Sequence, residues 1–208
     1  PLEYLLALLG EDRQIDLKAA GLGNRGASAE DYPYDIGRLK NVTRRAAQMS
    51  EWDKKQNLPK GRGVGIACVR SFLGYTGHVV EVEVTKEGTV KIPNVWVSLD
   101  SGTIVSPNRV RAQLEGAANM GATQALYGEI TFTNGVADQS NYDTYQMTTL
   151  IDAPRNIHMD VVESEAAPSG VGETGVPSFA PALCNAIFAA TGKRVRDLPI
   201  LKHDLSWS

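Results

Sequence analysis

Residues 80–99 read Val80-Glu81-Val82-Glu83-Val84-Thr85-Lys86-Glu87-Gly88-Thr89-Val90-Lys91-Ile92-Pro93-Asn94-Val95-Trp96-Val97-Ser98-Leu99. Apolar residues recur every second position, the period at which a strand places side chains on one face, and Glu87-Gly88 supplies a turn between two such runs. These are expected to be antiparallel neighbours. Across Pro93-Asn94 the apolar parity passes from even (Val90, Ile92) to odd (Val95, Val97, Leu99), and one inserted residue, a β-bulge, would explain the switch. Upstream, Val64-Gly65-Ile66-Ala67-Cys68-Val69 carries a further strand-like pattern.

Helical spacing surrounds this core. Leu2, Leu5, Leu6 and Leu9 share a face before Gly10, and Ile36, Leu39, Val42, Ala46 and Met49 predict a second helix after Asp35. Arg38, Arg44 and Arg45 fall on its polar side and are expected to form a solvated face. Residues 11–34, with Gly21, Gly23, Gly26 and many charges, read as an extended or partly mobile connection. Ser106-Pro107 is a helix start, Ser as cap and Pro where its missing N–H is harmless. In that helix Gly116, Ala117, Ala118, Gly121, Ala122 and Ala125 leave a small-residue surface open to close approach by a backbone or a ligand. Asn134-Gly135, between Ile130-Thr131-Phe132 and Val136, is a hairpin signal. Ile157, Met159 and Val161 alternate again, and a last helix is expected from about Ser178 to Ala190, ending at Gly192. Helices and mainly antiparallel strands in this order predict an α+β fold, without the repeated βαβ units of a doubly wound sheet.

Composition narrows the function. The 208 residues hold 21 Lys and Arg against 24 Asp and Glu, a net charge of −3, which excludes a broadly basic nucleic-acid coat. At 42% hydrophobic and 22% charged residues the chain has material for a sizeable core. No apolar run approaches the roughly 20 residues of a membrane helix. Cys68 and Cys184 stand alone in apolar surroundings and read as buried thiols, and His78, His158 and His203 are scattered, so neither a zinc site nor a Ser/His/Asp triad has a basis in spacing. The chain begins at Pro1 with no signal-like segment, as a mature or excised form would.

The loop from Ser164 to Pro177 is where chemistry is expected. Gly170-Val171-Gly172-Glu173-Thr174-Gly175 fits the letters G-x-G-x-x-G, but the approach from the preceding strand is too long for the tight dinucleotide turn, no parallel strand follows the next helix, and Glu173 would repel a pyrophosphate. A carboxylate between glycines ahead of a helix is instead a candidate general base. The alternative from spacing is a Glu that caps the following helix or lies in solvent.

Several segments in order resemble one family: Leu99-Asp100-Ser101-Gly102, Ser106-Pro107, Arg111-Ala112-Gln113-Leu114-Glu115-Gly116, Ala125-Leu126-Tyr127-Gly128-Glu129-Ile130, the Gly170–Pro177 loop, and Ala180-Pro181-Ala182-Leu183-Cys184-Asn185-Ala186-Ile187-Phe188-Ala189-Ala190-Thr191-Gly192. They resemble the molybdenum-binding subunit of the xanthine dehydrogenase and aldehyde oxidase family, in the branch of the isoquinoline 1-oxidoreductase β subunit. The resemblance runs from about 61 to 200. It divides the chain into a helical segment, 1–60, and the C-terminal portion of a molybdopterin-binding domain, 61–208, and it leaves 11–56 as an insertion or a partner-contacting stretch.

What the resemblance implies is a molybdopterin-dependent hydroxylase of aldehydes or N-heterocycles that inserts a water-derived oxygen into a C–H bond. Glu173 would be its general base, Gln113 a pterin contact, and Gly172 a clearance that lets cofactor and substrate approach. The cofactor would be molybdopterin with molybdenum, in this branch as the cytosine dinucleotide. Iron–sulfur clusters would sit on a partner subunit, since this chain has no Cys set to hold one. Further partners would be the upstream part of the same subunit and the small-molecule substrate. Relatives of this branch are often periplasmic. Ser101, Ser106 and Thr174 depart from the family's Cys, Asn and Pro, which bears on substrate and cofactor affinity. The chain alone is expected to be inactive. The rival expectation is a cofactor-free structural or interaction domain that docks through the small-residue helix 107–127.

Overall fold

The computed structural model describes residues 1–208, and its centre is a four-stranded sheet into which the alternating segments fall. In chain order the elements are α1 (Leu2–Leu9), β1 (Gln14–Ile15), β2 (Tyr34–Asp35), α2 (Ile36–Met49), β3 (Arg62–Ser71), β4 (Gly74–Val84), β5 (Val90–Asp100), α3 (Pro107–Leu126), β6 (Phe132–Thr133), β7 (Val136–Ala137), β8 (Asn156–Val161) and α4 (Phe179–Thr191). Short 3-10 turns at Trp52–Lys55 and Ile200–Lys202 complete them. The main sheet has the order β3-β4-β5-β8, antiparallel through β5.

β8 lies parallel to β5, with Val95 opposite Ile157 and Leu99 opposite Val161. This makes the sheet mixed, because the chain crosses over through α3 before adding its last strand. The bulge is present: Glu81 faces Asn94 and Glu83 faces Lys91, so two steps along β4 match three along β5, and the extra residue falls at Ile92–Pro93. Asn134 and Gly135 both have positive φ (53° and 80°) and close the β6–β7 hairpin, as a two-residue turn requires. The 11–34 connection is tied down by the β1–β2 pair and by Asn24, whose amide donates to three backbone carbonyls.

β4 is buried almost end to end because helices cover both sides of the sheet. On one face α2 packs Ala46 and Ala47 with Trp52 against Val64, Ile66, Val79 and Trp96. On the other, α3 and α4 pack Ala118, Ala122, Phe179, Leu183 and Ile187 against Val80, Val82 and Val95. α4 sits so close to β3 that a Cβ on Gly63 or Gly65 would run into its backbone, at the carbonyls of Ala186 and Ala182 respectively. Gly121 serves the α3–α4 contact in the same way, with Phe179 Cβ 2.7 Å from where its own Cβ would be. Much of the small-residue surface of α3 is therefore consumed in packing rather than left open.

Three expectations about side chains are corrected. Arg38 and Arg45 are not a solvated face. Each reaches over the sheet to a carboxylate in a bidentate pair: Arg38 Nε and Nη2 donate to Asp100 at 2.9 and 2.5 Å, and Arg45 Nε and Nη2 donate to Asp160 at 2.6 and 2.7 Å. Only Arg44 remains exposed. Ser106 stands at the N-terminus of α3, with Pro107 in its first turn, but its hydroxyl makes no capping bond. The two thiols are half-buried rather than fully buried and belong to different packing clusters, Cys68 with Leu39, Val42 and Tyr75, and Cys184 with the α3–α4 core. Burial pushes both thiols up.

Candidate active site

One face of α3 and the loop that leads into α4 enclose a cleft of about 430 Å³. From α3 come Gln113, Gly116, Ala117, Met120 and Gln124, which recur at helical spacing; from the loop come Gly172, Glu173, Val176 and Pro177; Phe72 closes one side. Gln113, Gly172 and Glu173, named from sequence as site residues, thus line one cavity although sixty positions separate the first from the last. The volume lies within the range of small-molecule sites.

The floor is tight and the mouth is open. A Cβ on Gly175 would lie 2.9 Å from Ala117 Cβ, so loop and helix touch there. Gly172 and Gly116 have neither a left-handed φ nor any atom within 4 Å of a would-be Cβ. Their missing side chains are therefore clearance facing the cleft, rather than a requirement of the backbone. Gln113, Gln124 and Glu173 are exposed and make no side-chain hydrogen bond within the chain, which leaves two amides and a carboxylate turned to whatever occupies the space. The helix-capping alternative for Glu173 is excluded: Ser178 holds the N-terminus of α4, and no side chain caps it.

The loop is anchored from beneath. Thr174 is wholly buried, and its hydroxyl donates to Gly170 O at 2.6 Å, closing the turn around Glu173. Val176 N donates to Glu173 O at 2.9 Å. Thr76 Oγ1, on β4, donates to Thr174 O at 3.1 Å, and His78 Nδ1 lies 2.8 Å from Ser178 Oγ. Ser169 N donates to Ser101 O, and Gly170 N to Phe72 O. Ser101 and Thr174, read in sequence only as departures, are thus buried parts of the loop's seat.

Phe72 was missed by sequence reasoning. It and Leu73 form the β3–β4 turn with φ of 50° and 70°, a left-handed pair that favours Gly or Asn, so no turn signal marked it. Met120 and Gln124 were also unmarked; helical spacing from Gln113 places them.

A cofactor with its own metal-ligating groups fits this wall better than a bare ion. No group of three or more His, Cys, Asp or Glu is arranged to hold a metal. What the cleft presents instead is free amide donors and acceptors, one carboxylate, and two glycines that leave room for a ring system.

Comparison with known proteins agrees in kind. Residues 70–154, which include β5 and the whole of α3 with Gln113, match the molybdopterin cofactor-binding domain family. The chain is 32% identical over 161 residues to the isoquinoline 1-oxidoreductase subunit beta of Brevundimonas diminuta, covering 76% of this chain and 20% of that protein. The chain is thus similar to part of a molybdopterin-binding subunit of the xanthine dehydrogenase and aldehyde oxidoreductase family. The aldehyde oxidoreductase molybdenum-binding subunit PaoC of Escherichia coli is 34% identical over 134 residues, 61% of this chain and 18% of that one. Among solved structures, quinoline 2-oxidoreductase from Pseudomonas putida 86 shares the fold with a TM-score of 0.55 at 22% identity, over 61% of this chain and 17% of that chain. The aldehyde oxidoreductase of Desulfovibrio desulfuricans gives 0.53 at 24%, over 62% and 15%. The α+β fold is that of the corresponding portions of these subunits. The chain spans about a fifth of the length of the curated relatives it matches. No helix is long and apolar enough to cross a membrane.

Proposed function

We propose that this chain supplies one wall of the catalytic cleft of a molybdenum hydroxylase acting on an aldehyde or an N-heterocycle, with Glu173 as general base, Gln113 as a cofactor contact and Gly172 as the clearance between them. The observation that carries this reading is the convergence of Gln113, Gly172 and Glu173 on one open cleft. When bound, the molybdenum–pterin group supplies the two-electron redox chemistry and the activation of water. The amide of Gln113 can both donate to and accept from a pterin edge or phosphate. Gly172 keeps the approach to Glu173 free of side-chain bulk. The Glu173 carboxylate, unpaired within the chain, receives a proton at Oε during oxygen insertion.

The rest of the molybdenum-binding subunit would form the opposite wall, and a partner subunit bearing iron–sulfur clusters would accept the electrons. An open half-cleft gives a ligand little burial, so the isolated chain is expected to bind cofactor weakly.

Two measurements test this. Molybdenum and pterin should be retained when the chain is assembled with the remainder of the subunit and an iron–sulfur partner, and not by the chain alone; absence from both would favour a cofactor-free structural role. In the assembled enzyme Glu173→Gln should lower turnover by orders of magnitude while molybdenum content stays near normal. Turnover retained by that variant would remove Glu173 from the role of base.

A further inference from the structure

The core-facing side of β4 changes character along its length. At Val80 and Val82 it is apolar and packs under α4. Two and four residues earlier, on the same face, stand His78 and Thr76, both fully buried, followed by Gly74. The change falls where the Glu173 loop crosses the strand, and each polar position meets one part of that loop. Gly74 abuts Ser169 and Thr174, Thr76 Oγ1 donates to Thr174 O, and His78 Nδ1 pairs with Ser178 Oγ.

Packing alone does not call for these residues. Valine would fill the position of Thr76 at nearly the same volume without burying a hydroxyl. His78 leaves Nε2 buried without a partner, an unfavourable arrangement. Ser178 directs its hydroxyl to His78, so that this hydroxyl makes no bond to the first turn of α4 and a stabilising cap is forgone. Unfavourable local arrangements of this kind persist where the surrounding structure needs the geometry they fix. Here they hold two points that follow Glu173, the Thr174 carbonyl directly after it and the Ser178 hydroxyl at the end of the loop.

We propose that Thr76 and His78 are positioning residues that fix the Glu173 loop over the cleft, through Thr174 O and Ser178 Oγ respectively. This rests on the reading of Glu173 as the functional carboxylate, but its test does not. Amide hydrogen exchange of the 208-residue chain reads the loop directly. Thr76→Val should raise exchange at the loop's hydrogen-bonded amides, Gly170 and Val176, by tenfold or more, with β3, β4 and β5 unchanged, and Thr76→Ser should restore protection. His78→Leu should loosen the same stretch, whereas His78→Asn, which keeps a polar atom near the place of Nδ1, should largely preserve it. In the assembled enzyme Thr76→Val should lower kcat with little change in KM. Loop protection equal to wild type in Thr76→Val, or a rise spread evenly over the sheet, would overturn the proposal. If the loop loosens as expected while Glu173→Gln keeps full turnover, the positioning role stands and only the assignment of the base falls.

Discussion

The two faces of the sheet are held by different means. On the α2 side, charged groups bridge elements far apart in the chain: Arg38 to Asp100, Arg45 to Asp160 with Ser98 on the same carboxylate, and Lys55 and Arg62 to the buried Glu81. Burial pushes Glu81 upward, but the hydrogen bonds from Lys55 and Asn94 outweigh it and leave the carboxyl below its usual range. On the α3–α4 side, neutral contacts dominate: glycine and alanine let backbones touch, and hydroxyls and one neutral imidazole seat the loop. Charge locks the α2 face, and the face that carries Gln113 and Gly172 keeps its one candidate acid unpaired.

The largest effect should come from breaking the lock. Asp100 is nearly buried and accepts both arms of Arg38 as well as Gly102 N. Asp100→Ala leaves a half-buried guanidinium without its partner and should lower stability by about 3 kcal/mol, the low end for such a loss because a fifth of the Arg38 side chain stays in water. Lys54→Ala, which removes the exposed pair with Glu51, should change stability by about 0.5 kcal/mol or less. Denaturant unfolding of both variants decides the matter: equal losses would mean that the α2 face is not held by charge.

Acid should separate the faces next. Burial depresses His78 to about 3 from its ordinary 6.5. Well above pH 6.5 the imidazole is neutral in both folded and unfolded chains, so it lends stability no pH dependence there. As the pH falls from 6.5 toward 3 the unfolded chain takes up a proton that the folded one refuses, so stability declines by up to about 1.4 kcal/mol per pH unit. Asp160, held below its usual range by Arg45, loses its contribution only at lower pH, as it begins to protonate. Unfolding at pH 7, 6 and 5 should therefore show a slope in the wild type that His78→Asn flattens. A slope that persists in the variant would assign the acid sensitivity elsewhere.

Local rules made much of the fold legible before these contacts were known. The strand period, the parity switch at Pro93-Asn94, the Asn134-Gly135 turn and the start at Ser106-Pro107 each depend on residues a few positions apart. The partners of Arg38 and Arg45, 62 and 115 positions away, and the parallel placement of β8 depend on how the chain closes, and no periodicity encodes that. The site was legible in the same divided way. Glu173 and Gln113 stood out by resemblance, but their meeting in one cleft is a product of α3 crossing the sheet, and Thr174, a departure in sequence, proves to be a buried latch.

The smallest effect on stability should fall where the cleft is. Gly65 and Gly172 are both glycines with ordinary φ, yet a methyl at Gly65 would enter the α4 backbone, while at Gly172 it meets nothing within 4 Å. Gly65→Ala should therefore destabilise the chain by about 1–3 kcal/mol. Gly172→Ala should leave stability within about 0.5 kcal/mol of wild type, since only open space receives the methyl. Its effect should appear instead as lower retention of molybdenum and pterin by the assembled subunit. If Gly172→Ala binds cofactor as tightly as wild type, the open space is not used by the ligand. The clearance beside Glu173 would then be no more than an exposed turn, and the contrast between a locked face and a working face would rest on Gln113 and Glu173 alone.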